Sequence, residues 1–238
     1  MTDTPIVEAR ELHSYYGASH ILHGVNFSVH AGEAVGLMGR NGMGKTTLLR
    51  TLLGHLPPRH GEVKINGKPM TGAAPHLIAR QGIAYVPEGR GIFPNLSVKE
   101  NLVMAAGPAM NGQRYWTYER VLETFPRLAE RLSHGGQQLS GGEQQILSIG
   151  RALMTNPKLL ILDEATEGLA PLIAQEIWRI IRTICESGIA AVIVDKNFAA
   201  VSAVTNRNVI LVKGRVVFEG SGTELKAQPD LMQQHLGI

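Results

Sequence analysis

The sequence predicts an α/β fold with a largely parallel sheet, a β-rich first third and an inserted α-helical subdomain. Three observations carry this. In the last third, short apolar runs at 159–162 and 189–194 enclose a helix-like stretch at 171–187. Alternation of that kind implies a largely parallel sheet with helices on its faces. The first third is rich in strand signals, and the middle third is helical without a Pro- or Ser-rich linker on either side.

The elements follow in order. Residues 25–29 (V-N-F-S-V) alternate apolar and polar as a half-buried strand does, whereas 34–38 (A-V-G-L-M) are apolar throughout, as in a strand covered on both faces. Helix formers fill 45–53 and stop near Gly54, with Pro57 and Pro58 beyond. Residues 61–65 form another strand, closed by the tight-turn pair Asn66-Gly67. Ser97 and Glu100 make a capping box that starts a helix. Residues 114–131 hold one or two helices, interrupted near Pro126. The 143–154 segment places Ile146, Ile149 and Leu153 on one face. The 171–187 helix has Pro171 in its first turn and Gly188 past its end. Residues 209–212 and 216–218 pair as a hairpin around Lys213-Gly214. The chain thus reads as one domain over 1–238, with a core from about 1–88 and 157–238 and a helical subdomain at about 89–156.

Composition narrows the function. With 44% hydrophobic and 18% charged residues the chain is globular. Lys plus Arg number 23 against 20 for Asp plus Glu, and no basic run carries the surplus, so no nucleic-acid partner is expected. The single cysteine, Cys185, excludes an intramolecular disulfide and suits a reducing compartment. The N-terminal M-T-D-T-P lacks the apolar stretch of a signal peptide, and no apolar run approaches the ~20 residues of a membrane span. Glycine numbers 27, about one residue in nine against about 7% on average, and clusters at 36–44 and 135–142.

The first cluster carries chemistry. G-R-N-G-M-G-K-T at 39–46 matches G-x-x-x-x-G-K-[ST] between a buried strand and a helix, the context of a phosphate-binding P-loop. Gly39, Gly42 and Gly44 let backbone N–H groups of the loop, including those of Arg40 and Asn41, approach phosphate oxygens, and the helix start through Thr47 adds its dipole. Lys45 supplies a cation to the β- and γ-phosphates, and the Thr46 hydroxyl is a Mg²⁺ ligand. L-L-I-L-D-E at 159–164 is a buried strand ending in two acids, and ligands gather at the carboxyl ends of the strands of a parallel sheet. Asp163 would hold Mg²⁺ and Glu164 would polarise the attacking water. The second cluster, L-S-G-G-E-Q-Q at 139–145, opens a helix with the Ser140 hydroxyl and the N–H groups of Gly141, Gly142 and Glu143, a second anion-binding start.

Phosphate loop, L-S-G-G signature and L-L-I-L-D-E, in that order and spacing, resemble the ATP-binding subunit of an ABC transporter over the whole chain. The resemblance implies a P-loop NTPase fold of the ABC ATPase type, with a mixed sheet core, an N-terminal antiparallel β portion and an inserted α-helical subdomain, that binds ATP and Mg²⁺. It implies a head-to-tail dimer in which the signature of one subunit closes on the ATP of the other. Tyr16 matches the aromatic that stacks on adenine, with Tyr15 as its rival. V-P-E-G-R at 86–90, I-F-P at 92–94, S-V-K-E-N-L at 97–102, E-G-L-A-P at 167–171, G-S-G-T-E-L at 220–225 and the terminal H-L-G-I look like the LivF-type subunit of branched-chain (hydrophobic) amino-acid importers. Glu88 in the middle motif favours that branch over urea and amide importers, whose motif reads V-P-Q. The implied partners are a second ATPase subunit (a paralogue, or a second copy for the isolated chain), two integral-membrane permease subunits and, indirectly, a substrate-binding protein. The implied location is the cytoplasmic face of the inner membrane. Glu88 and Phe93 would sit in the loop that receives the membrane subunits, with Tyr115 and Trp116 as further candidates.

Three positions depart from the wider family pattern. Glu88 stands where glutamine is usual and is a stronger Mg²⁺ ligand that cannot donate a hydrogen bond when ionised. Lys196 stands at the switch position, where histidine is usual, and Ala165 replaces a proline. A lysine holds its charge permanently, so hydrolysis at this subunit's own site is expected to be slow without partners. Two alternatives stand beside the amino-acid importer: an importer ATPase for urea, amides or another small solute, and a nucleotide-binding regulatory module with weak hydrolysis. A DNA-repair or translation ATPase is disfavoured, because heptads are absent and there is one phosphate loop.

Overall fold

A computed structural model describes residues 4–237. Its elements run β1 (Val7–Tyr16), β2 (Ser19–Val29), β3 (Ala34–Met38), α1 (Lys45–Leu52), β4 (His60–Ile65), β5 (Lys68–Pro69), α2 (Pro75–Ala79), β6 (Ile83–Val86) and α3 (Val98–Val103). They continue through α4 (Tyr118–Thr124), α5 (Pro126–Ala129), a 3₁₀ turn (Gly136–Gln138), α6 (Gly141–Leu153), β7 (Leu159–Asp163), α7 (Pro171–Glu186), β8 (Ala190–Val194), α8 (Phe198–Ser202), β9 (Arg207–Val212), β10 (Arg215–Gly220), α9 (Gly222–Lys226) and α10 (Pro229–His235).

Two sheets result. β2-β1-β4-β5 is antiparallel, and β10-β9-β3-β8-β7-β6 is mixed, parallel except for the terminal hairpin of β9 and β10. The inner strands are buried along their whole length, and their side chains divide by pleat. Leu159 and Ile161 of β7 join the core shared with α1 and the antiparallel sheet, while Leu160 and Leu162 join the core shared with α6 and α7. That two-sided burial is why these strands read as continuous apolar runs.

The capping box at Ser97 opens α3, and Glu100 Oε2 accepts from the Ser97 N–H at 2.8 Å. The 114–131 stretch breaks at Phe125, where Pro126 starts α5. Asn66 and Gly67 both take positive φ (51° and 74°), as the β4–β5 turn requires. No strand is predicted from the sequence over the residues of β1, whose alternation is short and interrupted. Its buried positions are Val7 and Ala9, then Leu12 and Ser14, because a bulge at Glu11 (φ 46°) slips the alternation by one residue. The terminal H-L-G-I motif ends at Ile238, outside the described residues.

Candidate nucleotide site

The phosphate loop joins β3 to α1. Gly39 has φ 136°, and a Cβ there would lie 2.3 Å from the Leu211 carbonyl oxygen of β9, so only glycine fits. Gly42 (φ 77°) faces open space. No side chain caps α1, whose first N–H groups stay available to an anion beyond the left-handed Gly44. Lys45 is buried, and its Nζ donates to the Gly39 carbonyl at 2.8 Å and the Arg40 carbonyl at 3.2 Å. Burial lowers the Lys45 pKa, against the pull of Glu164 and Asp163. The Arg40 side chain turns away, its Nη2 reaching the Gln233 carbonyl of α10 at 3.4 Å. A cleft of about 400 Å³ opens over the loop, lined by Asn41, Gly42, Gly44, Lys45, Thr46 and Thr47 and faced by Glu88, Glu164 and Glu167.

The acids sit at the end of β7. Asp163 is 1% exposed. Its Oδ2 accepts from the Tyr85 hydroxyl at 3.0 Å, and its Oδ1 is buried with no hydrogen-bond partner, an acceptor that suits a cation. Burial pushes the Asp163 carboxyl up, with Tyr85 opposing, and burial also pushes the Tyr85 hydroxyl up. Glu164 is held at φ 50°, its N–H donating to the Val194 carbonyl at 2.8 Å. Its carboxyl is pushed up to about 7, first by a hydrogen bond shared with Glu167 and then by burial, while Lys196 and Lys45 pull it down. Lys196 pairs directly with Glu167, and its Nζ lies 3.8 Å from Glu164 Oε2. Glu88, Glu164 and Glu167 each bring an oxygen within 4.8 Å of the others. An oxygen-rich set of this kind, with the Thr46 hydroxyl and Asp163, suits a hard divalent ion such as Mg²⁺.

Sequence reasoning missed Glu167 and Tyr85 as members of the site. Glu167 follows Glu164 by one turn, its N–H donating to the Glu164 carbonyl at 3.2 Å, and that i+3 spacing was the available signal. Asp195 also enters, accepting from Thr166 Oγ1 at 2.5 Å.

A second cleft, of about 420 Å³, adjoins the first through Thr46 and Glu88 and is lined by Tyr16, Arg50, His55, Leu56 and Tyr85. Tyr16 is 43% exposed and its hydroxyl accepts from Arg50 Nη1 at 3.4 Å. Tyr15 is already engaged. His20 stacks on it at 4.1 Å, nearly parallel, and the Arg59 guanidinium lies 4.1 Å from the ring centre.

Neither cleft is lined by Ser140, Gly141, Gly142 or Glu143. Ser140 caps α6, and Glu143 Oε2 accepts from its N–H at 2.8 Å. A Cβ on Gly142 would meet Ile173 at 2.4 Å, so packing requires glycine there, while one on Gly141 would meet the movable end of the Arg90 side chain at 2.7 Å. Arg90 Nη1 also donates to Gln144 at 3.0 Å, tying the loop after β6 to the start of α6. In that loop Phe93 is 47% exposed. Its N–H and carbonyl are both pinned at 3.0 Å by the buried Asn101 side chain. Tyr115 is exposed, whereas Trp116 is buried. Ala165 is buried against the helical side of the sheet.

Comparison with known proteins agrees with this geometry. The ABC transporter family profile matches residues 22–167. The chain is 41% identical to the high-affinity branched-chain amino acid transport ATP-binding protein BraG of Pseudomonas aeruginosa, across 94% of this chain and 96% of that one. It is 32% identical to a probable branched-chain amino acid transport ATP-binding protein, LivF, of Archaeoglobus fulgidus, across 96% and 97%. It is 34% identical to the lipopolysaccharide export system ATP-binding protein LptB of Escherichia coli, across 96% of each. The solved structure of an ATP-binding subunit of an ABC transporter superposes with a TM-score of 0.81 at 30% identity, over 98% of this chain and 96% of that one. With a phosphate loop, an acid-tipped strand and a glycine-opened helix on an ABC ATPase fold, the chain belongs to the ABC transporter family as an ATP-binding, ATP-hydrolysing subunit.

Proposed function

We propose that this subunit powers uptake of branched-chain or other hydrophobic amino acids through a membrane permease, on the cytoplasmic face of the inner membrane. The observation that supports it best is the convergence of Lys45, Thr46, Glu88, Asp163 and Glu164, across two adjoining clefts, at the carboxyl ends of β3, β6 and β7. The amino-acid substrate rests on the relatives BraG and LivF.

In this reading adenine stacks on Tyr16, and the phosphates enter the cradle formed by Gly39, Arg40, Asn41, Gly42, Gly44, Lys45, Thr46 and Thr47. Loop and helix N–H groups, with Lys45, neutralise phosphate charge. Mg²⁺, held by Thr46, Asp163 and Glu88, would supply Lewis-acid polarisation of the phosphates. Glu164 orients water and takes its proton. The helix start at Ser140 to Glu143 serves the ATP of a partner subunit, in keeping with its place outside both clefts. The helical subdomain, about 89–156, presents Phe93 to the permease, so closure of the dimer moves the membrane subunits. No helix among the described residues is long and apolar enough to cross a membrane.

Phosphate release from Mg-ATP, wild type against Glu164→Gln, tests the chemistry, and hydrolysis undiminished in the variant would overturn the role of Glu164. Reconstitution with candidate permeases and binding proteins, followed by leucine uptake, tests the substrate. Identity to LptB supports a second reading, service to a lipid exporter. Lipid-stimulated hydrolysis with no response to amino acids would favour it.

A further inference from the structure

Away from the nucleotide clefts, four histidines gather on the antiparallel sheet. The strand register sets them in a row: His13 of β1 faces His23 of β2 on one side and His60 of β4 on the other. His20, paired opposite Tyr15, completes the group. Leu12, Ser14 and Leu22, the alternating neighbours in β1 and β2, are buried in the core, so His13 and His23 point to the outer face.

The rings are in contact. His13 Nδ1 lies 3.1 Å from His20 Nε2, the His20 and His23 ring centres are 3.8 Å apart, and His60 stands edge-on to His13 at 6.1 Å. No carboxylate among the described residues forms an ion pair with any of the four. Glu11, the nearest acid in the strand, is engaged with Asn26 at 2.7 Å. Clustered imidazoles without an acid repel one another when protonated. When neutral, His13 and His20 hold two ring nitrogens 3.1 Å apart, the start of a donor set that suits Zn²⁺ and its neighbours.

We propose that His13, His20 and His23, with His60 beside them, bind a divalent transition-metal ion of the zinc type on the outer face of the β2-β1-β4 sheet. Two imidazole nitrogens each about 2.05 Å from a tetrahedral zinc are about 3.3 Å apart. The His13–His20 separation is close to that value, so this pair needs little movement. His23 and His60 join by side-chain rotation. The ion ties three strands together. Because His20 stacks on Tyr15, next in the chain to Tyr16, it also fixes the strand ends beside the base-binding cleft.

The test uses the untagged full chain with Co²⁺ as the spectroscopic probe, in excess Mg²⁺ to occupy the carboxylates. One equivalent of Co²⁺ should produce the intense visible absorption of a four-coordinate nitrogen site. Zn²⁺ should abolish that absorption and raise the thermal midpoint. Loss of even an outer-sphere partner of a metal ligand weakens metal binding about 10- to 100-fold, so the double variant His13→Gln/His20→Gln should lose at least that much affinity. Its thermal midpoint in EDTA should match wild type. Should that variant not fold, His20→Gln alone replaces it, with the same expectation. Absence of a saturable band in wild type, or an equal band in the folded variant, would overturn the proposal.

Discussion

The raised carboxyl of Glu164 makes a quantitative demand on hydrolysis. Glu164 is raised from an ordinary 4.5 to about 7, and its hydrogen bond with Glu167 is the largest cause. A general base works only when ionised, so kcat/KM, which reports the free enzyme, should rise with pH through this range. With a pKa of about 7, the ionised fraction climbs from roughly 9% at pH 6 to roughly 91% at pH 8, about a tenfold gain. Glu167→Gln removes the neighbouring charge and leaves the burial, so the pKa of Glu164 falls. Once it reaches about 6 or lower, the gain over the same interval shrinks to about twofold or less. The assay is phosphate release at subsaturating Mg-ATP for both proteins. The nucleotide's own titration is common to the two profiles and cancels in their ratio. A wild-type profile flat from pH 6 to 8, or an equal rise in Glu167→Gln, would refute the reasoning.

Three further outcomes can be measured directly. Asn156 (φ 51°) accepts from the Trp116 N–H at 2.6 Å and donates to the carbonyls of Gly107 and Trp116 at 2.8 and 3.1 Å, all with little solvent access. Asn156→Ala should lower unfolding free energy by about 3 kcal/mol in urea denaturation, and Asn156→Gly should recover part of that by relieving the left-handed backbone. Phe93→Asp should abolish stimulation of hydrolysis by the permease while leaving ATP affinity of the isolated chain within about twofold, because Phe93 is exposed and its loop is held by Asn101. Lys196→His should break the ion pair with Glu167 and raise basal phosphate release by the isolated subunit. An unchanged rate would show that Lys196 is not what restrains it.

Much of this molecule was legible along the chain because its informative elements are local. β3 and β7 are short apolar runs, and the phosphate loop and the acids follow them directly, so strand, loop and chemistry lie within a few residues of one another. The capped helix at Ser97 and the break at Pro126 are equally local. What escaped is what the fold alone brings together. Lys196 meets Glu167 across 29 positions, and Tyr85 meets Asp163 across 78. Strand β1 escaped because the Glu11 bulge scrambles its alternation. The choice between Tyr15 and Tyr16 also needed three dimensions. Only the positions of Arg59 and His20 show that Tyr15 is covered while Tyr16 opens into the cleft.

The pleat of β7 has a mechanical consequence. Its side chains are wedged into two separate hydrocarbon cores, so the strand can shift only if both give way, and close-packed interiors resist that. Asp163 and Glu164 are therefore fixed reference points, and the parts free to travel during a catalytic cycle are the loops anchored beside them. The loop after Glu164, bearing Glu167, and the turn bearing Lys196 lie directly beside the acids. Like a vice with one stationary jaw, the site has its gap set by what those loops bring toward it.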